Sequence, residues 1–172
     1  MKLNNYKKVS FLISGNGSNL LKILKKNHIN KDFKVIAIIS NNNISTKIKS
    51  YVGKFYKDVL VKEYQRTLQK KNFNNTDIIF SVGYMKVIEN RIINNFDVVN
   101  LHPSILPNYK GLMTQKRMLI NNEKYYGFTI HKVSHELDDG KTISNKTKKI
   151  DTKNEFELLK KHKILELSLI HI

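Results

Sequence analysis

Short apolar runs recur along the chain at regular distances, with polar, helix-patterned stretches between them. KVSFLIS (8–14), FKVIAIIS (33–40), DIIFSV (77–82) and DVVNLH (97–102) are rich in β-branched and aromatic residues. Each is the length of one strand and is apolar on both faces, which predicts buried strands. Leu20, Leu21, Ile23 and Leu24 fall at helical spacing just after the first run. A second helical pattern is read over 64–71, a short helix near 89–94, another in TQKRMLINN (114–122) and a last one over 155–166. YYGFTIHKV and KTISNKTKKI flank the turn HELDDG and predict an antiparallel pair. The stretch 41–62 is polar and weakly patterned, and predicts no particular element.

Strands that alternate with helices imply crossover connections and a mostly parallel sheet covered by helices on both faces. The antiparallel pair then belongs at the C-terminal edge of an α/β fold. No repeat and no Pro/Gly/Ser-rich linker divides the chain, so 1–166 reads as one domain. LSLIHI (167–172) matches what a common sequencing adapter encodes. It is read as an adapter-derived tail on a C-terminally truncated domain.

Composition narrows the chemistry. With no cysteine, disulfides, thiolate catalysis and cysteine-bound zinc are excluded. No segment reaches the roughly 18 apolar residues of a membrane span, and the N-terminal apolar run of about five is too short for a secretion signal. A cytoplasmic protein with no membrane partner is the expectation. The net charge of +17, from 31 basic and 14 acidic side chains, raises the question of nucleic acid. Lysine, asparagine and isoleucine are enriched everywhere, however, and no basic segment is interleaved with aromatics. The charge reads as compositional drift with a preference for small anions.

Three segments carry candidate chemistry. SGNGSNL (14–20) sets two glycines between a strand and a helix. Gly15 and Gly17 permit close approach of an anion to the backbone, and the helix start supplies unpaired N–H groups. Ser18 and Asn19 either cap the helix or touch a phosphate. The spacing is neither the dinucleotide fingerprint nor a Walker loop, and a tight turn with an ordinary cap explains it equally.

NLHPSILP (100–107) contains both prolines of the chain. It follows a presumed parallel strand, where open α/β sheets bind ligands. The prolines stiffen the loop around His102, as a general acid–base requires. Asn100 shares its side of the strand and can donate to a developing oxyanion. HELDDG (135–140) places Asp138 and Asp139 in a turn. A carboxylate approaching His102 would orient the ring and stabilise the imidazolium. His131 and His135 do not lie side by side on such a segment, so no metal is expected. His28 and His162 read as surface residues of helices.

In order and spacing, VSFLISGNGSNL, NLHPSILPNYKG and GFTIHKVSHELDDG resemble the phosphoribosylglycinamide formyltransferase family over about 9–150. The resemblance implies a doubly wound α/β fold and transfer of a formyl group from 10-formyl-tetrahydrofolate, as co-substrate, to the glycinamide amine in purine synthesis. It implies a phosphate site at Gly17, Ser18 and Asn19 and a catalytic trio of Asn100, His102 and Asp138. It implies formyl-folate contacts at Met85, Lys86, Val87, Ile88 and Asn100, and a cis peptide bond at Leu106–Pro107. No metal is implied.

Departures from the family pattern touch the acceptor more than the reaction. Asp139 stands where a small residue is usual, Lys141 where proline is common, and Met113 and Gln115 where histidines often occur. Lys86 replaces an arginine, the middle of the chain is shorter, and Lys161 falls near a ribose-contacting glutamate. Alternative readings are a formyl-folate transferase acting on an amino sugar or methionyl-tRNA, a basic nucleic-acid-binding module, and an inactive fragment.

Overall fold

The computed structural model describes residues 8–168, except the side chain of Leu167. Seven strands make one sheet in the order β3-β2-β1-β4-β5-β6-β7. The chain forms two compact units, the first ending at Val99 and the second beginning at Asn100.

The first unit is built on β1 (Lys8–Ile13), β2 (Lys34–Ser40), β3 (Leu60–Lys62) and β4 (Ile78–Val82). β1 pairs in parallel with β2 and β4, and β2 with β3. Phe11, Leu12, Ile38, Ile39, Ile78 and Ile79 are fully enclosed, as expected of strands covered on both faces. Helices α1 (Ser18–Asn30) and α2 (Thr46–Phe55) and the short α3 (Asn90–Ile93) complete the unit. The chain runs outward from β1 to β3 and then returns to the other side of β1 with β4. The C-terminal ends of β1 and β4 are therefore a topological switch point, where open sheets take ligands.

β5 (Asp97–His102) runs from the first unit into the second. The second unit adds α4 (Thr114–Ile120), β6 (Tyr125–Lys132), β7 (Thr142–Lys149) and α5 (Glu155–Leu167), with β6 and β7 antiparallel. Its core joins Met118, Tyr126, Phe128, Leu158 and Leu165, with Leu101 and Tyr109 packed against them. At the start of α5, the Asn154 side chain accepts the Glu157 N–H. Lys161 bridges Asp151 at 2.6 Å and Glu157 at 3.3 Å.

Two expectations need correction. No helix forms over 64–69: Tyr64 sits at φ 54°, and only a 3₁₀ turn at Lys70–Phe73 follows. A tyrosine in the left-handed region ends any right-handed helix at that point. The unassigned stretch 41–62 contains both α2 and β3. Of the expected tail, only Leu167 and Ser168 are described, closing α5; 169–172 lie outside the described residues.

His162 is the second correction. It is buried rather than on the surface. Its Nε2 donates to the Gly127 carbonyl at 2.5 Å, and its Nδ1 accepts from Gln115 Nε2 at 2.9 Å. Those partners call for a neutral ring, and burial pushes its pKa down to about 4. The unfolded chain protonates this histidine near 6.5, whereas the folded chain does so only near 4. Stability is thus complete above pH 6.5 and is lost as the pH falls through that window. About 2 kcal/mol should disappear between pH 7 and pH 5. Urea titrations at the two pH values check this, and His162→Gln should flatten the dependence; an equal slope in both proteins would exclude His162 as the cause.

Candidate active site

In the second unit, β5, β6 and the turn after β6 bring four polar side chains together. His102 Nδ1 lies 3.3 Å from Asp138 Oδ2. His102 Nε2 lies 3.0 Å from the carbonyl oxygen of Tyr109. Both ring nitrogens face acceptors, so a ring carrying two N–H bonds satisfies both. Both side chains are almost wholly enclosed, at 5% and 10% exposure, so little water competes for these contacts.

His131 stands beside this pair, its ring centroid 6.4 Å from that of His102, and pairs with Asn100. Its Nδ1 is 2.9 Å from the Lys132 carbonyl, which can only accept, so Nδ1 carries the proton. Nε2 then holds the lone pair and accepts from Asn100 Nδ2 at 3.2 Å. Burial lowers the His131 pKa below the usual histidine range, against opposing effects of Lys132 and Asp138, which keeps the ring neutral. At 3.7 Å, His131 Nε2 and Asp138 Oδ1 are beyond hydrogen-bond reach. One amide hydrogen of Asn100 is therefore committed to His131, and the other stays on the same rigid group.

The turn that delivers Asp138 is held at several points. Asp138 has φ 49°, a conformation aspartate tolerates better than most residues. Its Oδ2 accepts the Gly111 N–H at 2.8 Å. Next to it, Asp139 pairs with Lys110. That pair is solvent-exposed and screened, so it adds little to the hold on the turn. The proline loop is fastened to β6 through Thr129, whose hydroxyl donates to the Ser104 carbonyl and accepts the Leu106 N–H. Leu106–Pro107 is cis.

In the first unit, the glycine loop follows β1. Gly17, at φ 62°, occupies the cap position of α1, and its carbonyl accepts the Leu21 N–H at 2.9 Å. No side chain caps this helix, so Ser18 and Asn19 lie inside its first turn, where N–H groups have no helical carbonyl to bond. Ser14, buried and absent from the sequence-based candidates, ties this loop to its neighbours. Its hydroxyl accepts the Met85 N–H at 2.7 Å and donates to Asn41 Oδ1 at 2.5 Å. Asn42 Nδ2 donates to the Ser14 carbonyl at 2.7 Å. The loops after β1, β2 and β4 thus share one hydrogen-bonded hub. Beyond Met85, Ile88 is buried, while Met85 and Val87 remain 65% and 75% exposed. Lys86 is exposed as well.

The residues expected to act together divide as follows. His102 and Asp138 are in contact, and Asn100 pairs with His131 beside them. Gly17, Ser18 and Asn19 follow Ser14 in the chain, and Ser14 accepts the Met85 N–H. His131 is absent from the sequence-based candidates because its offset from His135 bears only on metal binding. The missed signal was its place in the β6 run beside β5. No group of three or more metal-ligating side chains occurs among the described residues.

A parallel α/β sheet whose strand ends carry an amide, an imidazole and a carboxylate has the equipment of an acyl-group transferase. Residues 7–167 match the family described as formyl transferase, and the chain belongs to that family. It is 31% identical over 156 residues to the phosphoribosylglycinamide formyltransferase of Haemophilus influenzae, covering 80% of this chain and 70% of that protein. The methionyl-tRNA formyltransferase of Thermotoga maritima is 34% identical over 94 residues, 54% of this chain and 30% of that protein. The solved phosphoribosylglycinamide formyltransferase from Bacillus halodurans superposes with a TM-score of 0.80 at 23% identity, covering 95% of this chain and 91% of that one. The doubly wound formyltransferase fold is thereby established for this chain. No helix among the described residues is long and apolar enough to cross a membrane.

Proposed function

We propose that this chain transfers the formyl group of 10-formyl-tetrahydrofolate to the amine of phosphoribosylglycinamide, in purine synthesis, with Asn100, His102 and Asp138 as its catalytic residues. The observation that carries the assignment of roles is the pair of neighbouring contacts Asn100–His131 and His102–Asp138. Similarity over most of the Haemophilus protein's length supports this acceptor over methionyl-tRNA or an amino sugar.

The neutral amine attacks the formyl carbon, a C–N bond forms, and the carbonyl oxygen becomes an oxyanion. The second Asn100 N–H, its partner fixed by neutral His131, donates to that oxygen, and the His102 ring adds positive potential beside it. The attacking nitrogen then sheds a proton, the bond from the formyl carbon to the folate N10 breaks, and N10 takes up a proton. The His102–Asp138 pair, 3.3 Å apart, carries the proton between the two nitrogens. Preorganisation does most of the work here, because each group is held before substrate arrives.

Gly17, Ser18 and Asn19 would hold the acceptor's phosphate at the start of α1. Met85, Lys86, Val87 and Ile88 would contact the formyl-folate, with the exposed Met85 and Val87 offering it apolar surface. A Cβ at Gly17 would come within 2.3 Å of the Ile48 side chain, in a backbone conformation that L residues avoid. Gly17→Ala should therefore raise KM for phosphoribosylglycinamide about tenfold, with kcat changed less. Thermal shift with the acceptor alone gives an independent reading: the wild type should be stabilised and Gly17→Ala much less so. No stabilisation of the wild type would count against the acceptor, and equal stabilisation would count against the loop.

A further inference from the structure

Helices α1 and α2 flank an open trough of about 580 Å³ that the proposed transfer reaction does not use. Leu21 and Lys25 line one wall; Lys47, Tyr51, Lys54 and Phe55 line the other. Neither helix contains an aspartate or glutamate. Lys49 pairs with Glu63 at 2.8 Å. Tyr51 and Phe55 are four apart on α2 and so share a face, with ring centroids 4.7 Å apart. The His28 ring stands 4.3 Å from Phe55 and extends the aromatic surface. Lys25 Nζ lies 6.0 Å from the Tyr51 centroid and Lys54 Nζ 5.1 Å from that of Phe55. Phe55 keeps 37% of its surface in water. Contrary to the sequence reading, α2 itself interleaves lysines with rings, and folding adds Lys25 and His28 from α1.

We propose that this trough binds single-stranded nucleic acid. Cations on both walls match a phosphate backbone, and the rings offer the sequence-tolerant platforms on which bases stack. Lys47 and Lys54 stand seven residues apart, about 10 Å along the α2 axis, so they address different phosphates of one strand. The trough is open along its length. That suits a continuous strand better than a free mononucleotide, which needs enclosure. An acidic peptide would use the lysines and leave the rings without partners.

Fluorescence anisotropy of labelled 12-nucleotide oligouridylate and oligodeoxythymidylate, titrated with the full chain at two salt concentrations, tests the proposal. Saturable binding is expected in the micromolar range at about 50 mM salt. Lys25→Glu/Lys54→Glu should weaken it at least about tenfold and reduce the salt slope by about 0.7 per lysine. Lys148→Glu/Lys149→Glu on β7 makes the same change in net charge and should cost less than about threefold, since only the overall field changes. Phe55→Ala should weaken binding about tenfold with the salt slope preserved, because stacking releases no counterions. All these substitutions fall on exposed side chains, and formyl transfer by the charge-reversed pairs reports that the protein is folded. The proposal is overturned by absence of saturable binding, by equal losses in the two charge-reversed pairs, or by oligoglutamate binding as tightly as the oligonucleotides. Should Phe55→Ala not fold, the two charge-reversed pairs decide alone.

Discussion

Asp138→Asn should lower kcat for formyl transfer about a thousandfold while KM for either substrate stays within about threefold. The replacement keeps an oxygen able to accept the Gly111 N–H, which Asp138 Oδ2 now does at 2.8 Å, so the turn keeps its tether. It removes the negative charge facing His102 Nδ1 at 3.3 Å. It also puts an amide where proton transfer needs a carboxylate. The loss is confined to steps in which charge moves, so it appears in kcat rather than in binding. Steady-state kinetics on protein with unchanged circular dichroism make the comparison. A variant turning over within tenfold of wild type would remove Asp138 from the mechanism.

Gly140→Ala should be nearly as damaging by another route. A Cβ at Gly140 would lie 1.7 Å from the Lys132 carbonyl oxygen and 2.7 Å from its carbon. These are backbone atoms, so no side chain can give way, and the turn from β6 must move. The same carbonyl fixes the tautomer of His131 through Nδ1. Displacing it disturbs both the Asn100 partner and the Asp138 turn. About 3 kcal/mol of stability and at least about a hundredfold of kcat should be lost together. Urea denaturation alongside the activity assay measures both. A stable, active Gly140→Ala protein would mean that the turn is free to shift without consequence.

The strands were readable because burial on both faces demands apolar residues at successive positions, and KVSFLIS, KVIAIIS and IIFSV meet that demand without reference to anything distant. The region 41–62 was not readable for the converse reason. Both faces of α2 carry lysine, and only Ile48 and Val52 are buried, too few to mark a period. The pattern over 64–71 did look helical, but Tyr64 takes a left-handed backbone that periodicity does not record. Single histidines were hardest to place. His162 sits among lysines on α5, yet its ring is enclosed between Gln115 and the Gly127 carbonyl, partners that are distant in sequence. His131 was set aside for the same reason, because its value comes from Asn100 on another strand.

Convergence of the 100–107 loop with the 135–140 turn rested on a resemblance in motif order, since no local pattern tells two loops that they meet. The structure brings His102 and Asp138 within 3.3 Å and sets His131, the partner of Asn100, beside them. Ser14 likewise became visible only once three strand ends were aligned. Its hydroxyl serves the loops after β1, β2 and β4 at once.

The most direct measurement is turnover of this chain with 10-formyl-tetrahydrofolate and phosphoribosylglycinamide, following both tetrahydrofolate and the formylated acceptor. Acceptor-dependent release of tetrahydrofolate, one formylated glycinamide per folate, and near-abolition by Asp138→Asn are expected. Release of formate without acceptor, or transfer to methionyl-tRNA or an amino sugar but not to the glycinamide amine, would contradict the assignment.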